Sequence, residues 1–131
     1  MQKYTVVVCD HIHEAGLDML KNDENINFIM AADVDKTELV EKIIPTADVA
    51  ITRSSTDVDA NFIKHATNMK AIVRAGVGVD NVDIPGCSKE GIIVMNVPTA
   101  NTIAAVELTM THMLSCTVSY THLTLPTNRE V

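Results

Sequence analysis

Five short β-branched runs alternate with amphipathic segments along the first hundred residues, and the connections between them are brief. The runs are YTVVVC (Tyr4–Cys9), Ile26–Ala31, DVAIT (Asp48–Thr52), AIVRA (Ala71–Ala75) and IIVMNV (Ile92–Val97). Each reads as a strand, and the first, nearly all apolar, as one buried on both faces. Between them, apolar residues recur at helical spacing. Leu17 and Leu20 do so in Glu14–Lys21, followed by Leu39, Val40, Ile43 and Ile44, and then by Phe62, Ile63 and Ala66. This alternation leaves few possible folds. Strands joined through a helix run parallel, and the crossovers are right-handed.

The boundary residues agree with that reading. Asp35-Lys36-Thr37-Glu38 has the form of a capping box, and Pro45 is placed to stop the helix that follows. Asp59 can cap the helix carrying Phe62. Asp83 can cap a short helix with Pro85 in its first turn and Gly91 just past its end. From about Thr102 a longer helix sets Ile103, Val106, Met110, Met113 and Leu114 on one stripe. The predicted fold is α/β: a flavodoxin-like, doubly wound, five-stranded parallel sheet with helices on both faces. Such sheets bind ligands at the carboxyl ends of their strands. Function is therefore expected in the loops Asp10–His13, Arg53–Thr56, Gly76–Asp83 and Pro98–Asn101.

Composition removes several classes of function. The 131 residues carry a net charge of −7, with no Lys/Arg cluster to offer nucleic acid. No apolar run is long enough to span a bilayer, and Met1-Gln2-Lys3-Tyr4 leads straight into a strand without a signal peptide. The expectation is no nucleic-acid partner and no membrane. Three scattered cysteines, Cys9, Cys87 and Cys116, do not make a disulfide framework and suit a reducing cytoplasm.

Within the predicted ligand loops, Arg53 offers a forked donor to a carboxylate or phosphate, and Ser54 adds a hydroxyl. A surface ion pair of Arg53 with Asp57 or Asp59 is the plainer alternative. The glycines of Gly76-Val77-Gly78 permit positive φ, so that consecutive N–H groups can converge on one anion. A tight turn with no ligand is equally compatible with them, and the spacing is not that of a dinucleotide loop. Asn101 can cap the last helix or donate to a ligand. Asp10, His11 and His13 beside Cys9 invite a metal, but a loop lining or supporting the cleft is the favoured reading, and no metal site is assigned. His65 and His112 read as surface or packing residues.

Taken in order, these segments resemble the D-2-hydroxyacid dehydrogenase family. Arg-Ser-Ser-Thr after the third strand is similar to its substrate loop. AGVGVDNVD after the fourth is similar to its carboxylate-binding turn. NVPTANTIAAVELTMTHML resembles its linker and the first helix of its nucleotide-binding domain. The resemblance covers about Lys3–Cys116 and is closest to the members that oxidise 3-phosphoglycerate. It implies that Arg53, Ser54 and Asn101 contact a small anionic 2-hydroxy acid, and that backbone at Val77 and Gly78 holds its carboxylate. It also implies an NAD-dependent, homo-oligomeric parent enzyme of serine biosynthesis.

The family's GxGxxG loop and its catalytic Arg, Glu and His are expected beyond Cys116, and the sequence does not contain them. The chain thus reads as an N-terminal fragment that binds no cofactor and is inactive alone. Residues 1–101 would be the substrate domain and 102–116 the first helix of a nucleotide-binding domain. Residues 117–131 would be a foreign tail, since SYTHLTLPTNREV resembles translated sequencing-adaptor read-through. The alternatives are a fragment of another 2-hydroxyacid dehydrogenase and a non-enzymatic small-anion-binding module. A phospho-accepting receiver is set aside, because it needs an Asp where Arg53 stands and a Lys where Asn96-Val97 stand.

Overall fold

The computed structural model describes residues 3–117. The reading of the C-terminal segment as foreign falls on residues 118–131, outside the described residues. The chain divides into two compact units, Met1–Pro98 and Thr99–Val131.

The first unit is built from β1 (Tyr4–Val8), α1 (Glu14–Lys21), β2 (Ile26–Met30), α2 (Lys36–Glu38), β3 (Val49–Thr52), α3 (Ala60–His65), β4 (Ala71–Arg74), α4 (Ile84–Lys89) and β5 (Ile93–Asn96). All strand pairs are parallel, in the order β2-β1-β3-β4-β5. This is the flavodoxin-like order, with the chain reversing direction across the sheet between β1 and β3. Right-handed crossovers then put α1 on one face and α2 to α4 on the other. The buried cluster fills the second face: Val7, Ala50 and Ile72 from the sheet meet Leu39, Ile44 and Phe62 from the helices. Phe62, Ile44 and Ile72 are fully buried, each contributing about 1.5–3 kcal/mol of hydrophobic stabilisation.

The other face is closed less completely. Val6 and Val8 are buried beside α1, but α1 itself has no buried residue. Toward β5 the sheet opens, and Ile93 and Met95 are 62% and 46% exposed. β1 is not buried throughout as the sequence predicts, since Tyr4 is exposed and Lys70 Nζ lies 4.7 Å from its ring centroid.

The helix expected after Asp35 differs in form. Only Lys36–Glu38 is α-helical. Leu39–Ile43 forms a π-helical turn, and Ile44–Thr46 a 3₁₀ turn that contains Pro45. The reason lies in the apolar spacing. Leu39 and Ile44 are five apart, which in an α-helix sets them about 140° apart around the axis. A π turn closes on i→i+5 bonds, and the Ile44 N–H donates to the Leu39 carbonyl. Both side chains are buried as a result. The capping box is half made. Asp35 Oδ1 accepts from Thr37 N at 2.9 Å and Glu38 N at 3.4 Å, while Glu38 reaches forward to Lys42 at 3.1 Å.

The other caps form as expected. Asp59 accepts from Phe62 N at 2.9 Å and Asp83 from Gly86 N at 3.0 Å. Gly91, at φ 71°, ends α4 in the left-handed region, where glycine carries no Cβ penalty. In the second unit, α5 spans Thr102–Thr117. The expected stripe of Ile103, Val106, Met110, Met113 and Leu114 is exposed, and so is Leu108 outside it. The helix is apolar around much of its circumference rather than on one side.

Candidate anion-binding site

Three loops leave the carboxyl ends of adjacent strands β1, β3 and β4, and polar side chains tie them together. Asp10 follows β1 and is only 6% exposed. Its Oδ2 accepts the Arg53 backbone N–H and, at 3.3 Å, that of Thr56. Its Oδ1 accepts from the Thr56 hydroxyl at 2.8 Å. The loop after β3 is thereby wrapped around one carboxylate.

Asn81, in the loop after β4, holds the same segment from the other side. Its Nδ2 lies 2.7 Å from both the Arg53 and the Thr56 carbonyl oxygens. Two carbonyl acceptors fix which end of the amide faces them. Backbone bonds extend the seam: Val58 N donates to Asn81 O and Asp83 N to Val58 O, each at 2.9 Å. From β5, Asn96 Nδ2 donates to the Val77 carbonyl at 2.8 Å and Val97 N to the Gly76 carbonyl at 3.0 Å.

Arg53 and Ser54 are exposed at this end of the sheet. The Arg53 guanidinium does not pair with Asp57 or Asp59 among the described residues. Its Nη1 donates to the His11 carbonyl at 2.9 Å, leaving its remaining donors open. The backbone N–H groups of Ser54, Val77 and Gly78 have no acceptor among the described residues. Positive φ is not how the glycine turn works. Among the described glycines only Gly91 adopts it. At Gly76 the guanidinium of Arg74 lies against the turn, where a Cβ would meet the end of that flexible side chain.

The histidines near β1 have other partners. His13 Nδ1 caps α1 by accepting from Ala15 N at 3.2 Å, and His11 Nε2 lies 3.1 Å from Asp33. No group of three potential metal ligands occurs among the described residues. Burial, with Asp10 adding to it, pushes the Cys9 thiol up to about 12, so Cys9 is a small apolar side chain rather than a nucleophile. Asn101 belongs to the second unit. Its carbonyl accepts from Ala105 N at 2.9 Å, but its amide makes no hydrogen bond among the described residues, so of its two readings the side-chain cap is not formed.

Sequence reasoning named Arg53, Ser54, Val77 and Gly78 and missed what arranges them. Asp10 carried a signal, as a carboxylate ending an otherwise apolar strand. Asn81 carried none beyond its place in a short motif. No helix among the described residues is long and apolar enough to cross a membrane.

Comparison with known proteins identifies the family of the chain. The model of the D-isomer specific 2-hydroxyacid dehydrogenase catalytic domain matches residues 6–128. A D-3-phosphoglycerate dehydrogenase of Methanocaldococcus jannaschii is 42% identical over 110 residues, which is 84% of this chain and 20% of that protein. A hydroxypyruvate reductase of Thermotoga maritima is 39% identical over 116 residues, 88% of this chain and 37% of the relative. The crystal structure of an NAD⁺-bound 3-phosphoglycerate dehydrogenase from Entamoeba histolytica superposes with a TM-score of 0.74 at 31% identity, over 86% of this chain and 39% of that one. The chain thus spans well under half the length of these relatives. It belongs to the D-isomer specific 2-hydroxyacid dehydrogenase family.

Proposed function

We propose that residues 1–101 are the substrate-binding domain of an NAD-dependent D-2-hydroxyacid dehydrogenase whose substrate is 3-phosphoglycerate, oxidised to 3-phosphohydroxypyruvate. In this reading Arg53 and Ser54 take one anionic end of the substrate, and the N–H groups of Val77 and Gly78 take its carboxylate. The observation that carries the proposal is the joining of the Arg53–Thr56 loop to the glycine turn through Asn81, with the Val77 and Gly78 N–H groups unpaired among the described residues. An anion placed against such donors is oriented at little reorganisation cost. The 42% identity to a D-3-phosphoglycerate dehydrogenase supports the choice of substrate.

Residues 102–116 are read as the opening helix of a nucleotide-binding domain, and 117–131 as foreign sequence. NAD, which the family implies, would supply the hydride acceptor of a whole enzyme. The residues described here do not fit it. A dinucleotide needs a glycine-rich loop opening directly onto an uncapped helix N-terminus. The glycine turn leads instead to six-residue α4, whose first turn is already occupied by the Asp83 carboxylate. The chain therefore orients substrate without turning it over. Its three free cysteines suit a reducing cytoplasm.

Titration of the full chain with 3-phosphoglycerate, followed by amide chemical shifts, tests the proposal. Saturable shifts at Ser54, Val77 and Gly78 are expected, with no NADH formed when NAD is added. Absence of saturable binding, or shifts confined to other loops, would refute it. Identity to the Thermotoga hydroxypyruvate reductase favours a second substrate, hydroxypyruvate. Tighter binding of hydroxypyruvate in the same titration would select it.

A further inference from the structure

Asp10 is a buried acid inside a site read as anion-binding. Its charge works against an anion at short range, so the structure must give it another use. Its partners show what that use is. Both oxygens are occupied by donors from one loop: the Arg53 N–H, the Thr56 N–H and the Thr56 hydroxyl. No Lys, Arg or His side chain pairs with it among the described residues. Asn81 grips the opposite edge of the same loop, through the carbonyls of the same two residues. Arg53 and Thr56 are thus each held by N–H from β1's end and by C=O from β4's end. Neither Asp10 nor Asn81 has to touch a ligand to do this.

We infer that Asp10 and Asn81 are positioning residues: together they brace the Arg53–Thr56 loop in the shape that presents the Arg53 side chain and the Ser54 N–H and hydroxyl to a bound anion. This rests on the substrate-binding reading above. The brace requires acceptors on the Asp10 side and a donor on the Asn81 side, because the backbone groups it holds are respectively N–H and C=O. Negative charge at Asp10 is not required. In Asp10→Asn the amide oxygen can keep the two N–H groups while the amide NH₂ donates to the Thr56 hydroxyl, which can turn from donor to acceptor. In Asp10→Ala every acceptor is lost, leaving buried donors unpaired.

The full chain and its Asp10→Ala, Asp10→Asn and Asn81→Ala variants test this. The measurements are thermal melting, amide hydrogen exchange at Arg53 and Thr56, and binding of 3-phosphoglycerate well below the melting temperature. Asp10→Ala is expected to exchange at least about tenfold faster at both amides and to bind at least about tenfold more weakly. Asp10→Asn should keep both within about threefold of the parent and can bind more tightly, since a repelling charge is gone.

Unchanged binding by folded Asp10→Ala would overturn the inference, and so would equal losses in Asp10→Asn and Asp10→Ala. If Asp10→Ala does not melt cooperatively, Asn81→Ala decides in its place. Faster Arg53 and Thr56 exchange with weaker binding supports the brace, and parental values refute it. If the parent chain binds no 3-phosphoglycerate, the substrate reading fails by itself. The exchange data then still decide whether Asp10 and Asn81 hold the loop.

Discussion

Replacing Arg53 by alanine separates what its side chain does from what its backbone does. The backbone N–H is bound by Asp10 and the carbonyl by Asn81, and both contacts survive the substitution. Only the Nη1 bond to the His11 carbonyl is lost, at an exposed position where water can replace it. Stability should therefore change by less than about 1 kcal/mol. Anion binding should change more. A guanidinium has five N–H donors, and one is committed to His11, so a bidentate pair remains for an oxyanion. Removing a charge-assisted contact of this kind costs about 1.5–3 kcal/mol, roughly ten- to a hundredfold in affinity. Solvent exposure of Arg53 favours the lower end of that range. The assay is a calorimetric titration of Arg53→Ala against 3-phosphoglycerate and against glycerate, with melting curves alongside. If Arg53 reads the phosphate, the loss is large for the first ligand and small for the second. Equal losses would show that it reads the carboxylate common to both. A fall in melting temperature matching the loss of affinity would refute the division between side chain and backbone.

Other substitutions test the scaffold. Gly91→Ala should destabilise the chain by about 1–2 kcal/mol in urea melts, because its φ of 71° is left-handed although the space around it is open. At pH 8 an alkylating reagent should add one label to the native chain, at exposed Cys116, and three after denaturation; rapid native labelling of Cys9 would contradict its burial and raised pKa. Hydrogen bonds from Lys70 and from the Thr5 N–H hold the Asp48 carboxyl below its usual range, and the bond to Asp48 raises Lys70. The Asp48 contribution is therefore complete above the unfolded carboxylate pKa and lost as pH falls through the lower folded value. That of Lys70 is complete below its unfolded pKa and lost as pH rises through the higher folded one. Asp48→Asn should flatten both limbs of the urea midpoint against pH.

Much of the architecture was legible because local signals and tertiary packing agree. Asp59 and Asp83 cap the helices that their positions announce, and the β-branched runs become the five strands. The departures occur where packing overrode a local rule. Spacing alone predicts an α-helix through Leu39–Ile44, but burying both ends of that interval demanded a wider turn. The glycine turn was legible as a loop leaving β4 but not in what surrounds it. Sequence cannot show that Arg74 lies over Gly76, because that contact depends on the rotamer of a long side chain. Asp10 was visible as a polar strand end. Its role was not, since its partners are two main-chain N–H groups and the Thr56 hydroxyl, 43 to 46 residues away.

The acidity of the chain does not oppose the proposed site as strongly as a net charge of −7 suggests. Charges beyond about 8 Å are largely screened at physiological ionic strength, so the nearby groups decide. Two of the acids flanking the loops, Asp59 and Asp83, are bonded to N–H groups at the starts of α3 and α4, where a helix dipole stabilises their charge. Asp10 is wrapped in three donors. Facing solvent between them are the Arg53 side chain, a set of main-chain N–H groups, and the exposed carboxylates of Asp57 and Asp80, the latter set against Gly78. Fixed backbone dipoles cannot be titrated or exchanged by a single substitution. A site built from them therefore depends less on which side chains occupy its loops than on what holds those loops in place, and here that is the Asp10 carboxylate with the Asn81 and Asn96 amides.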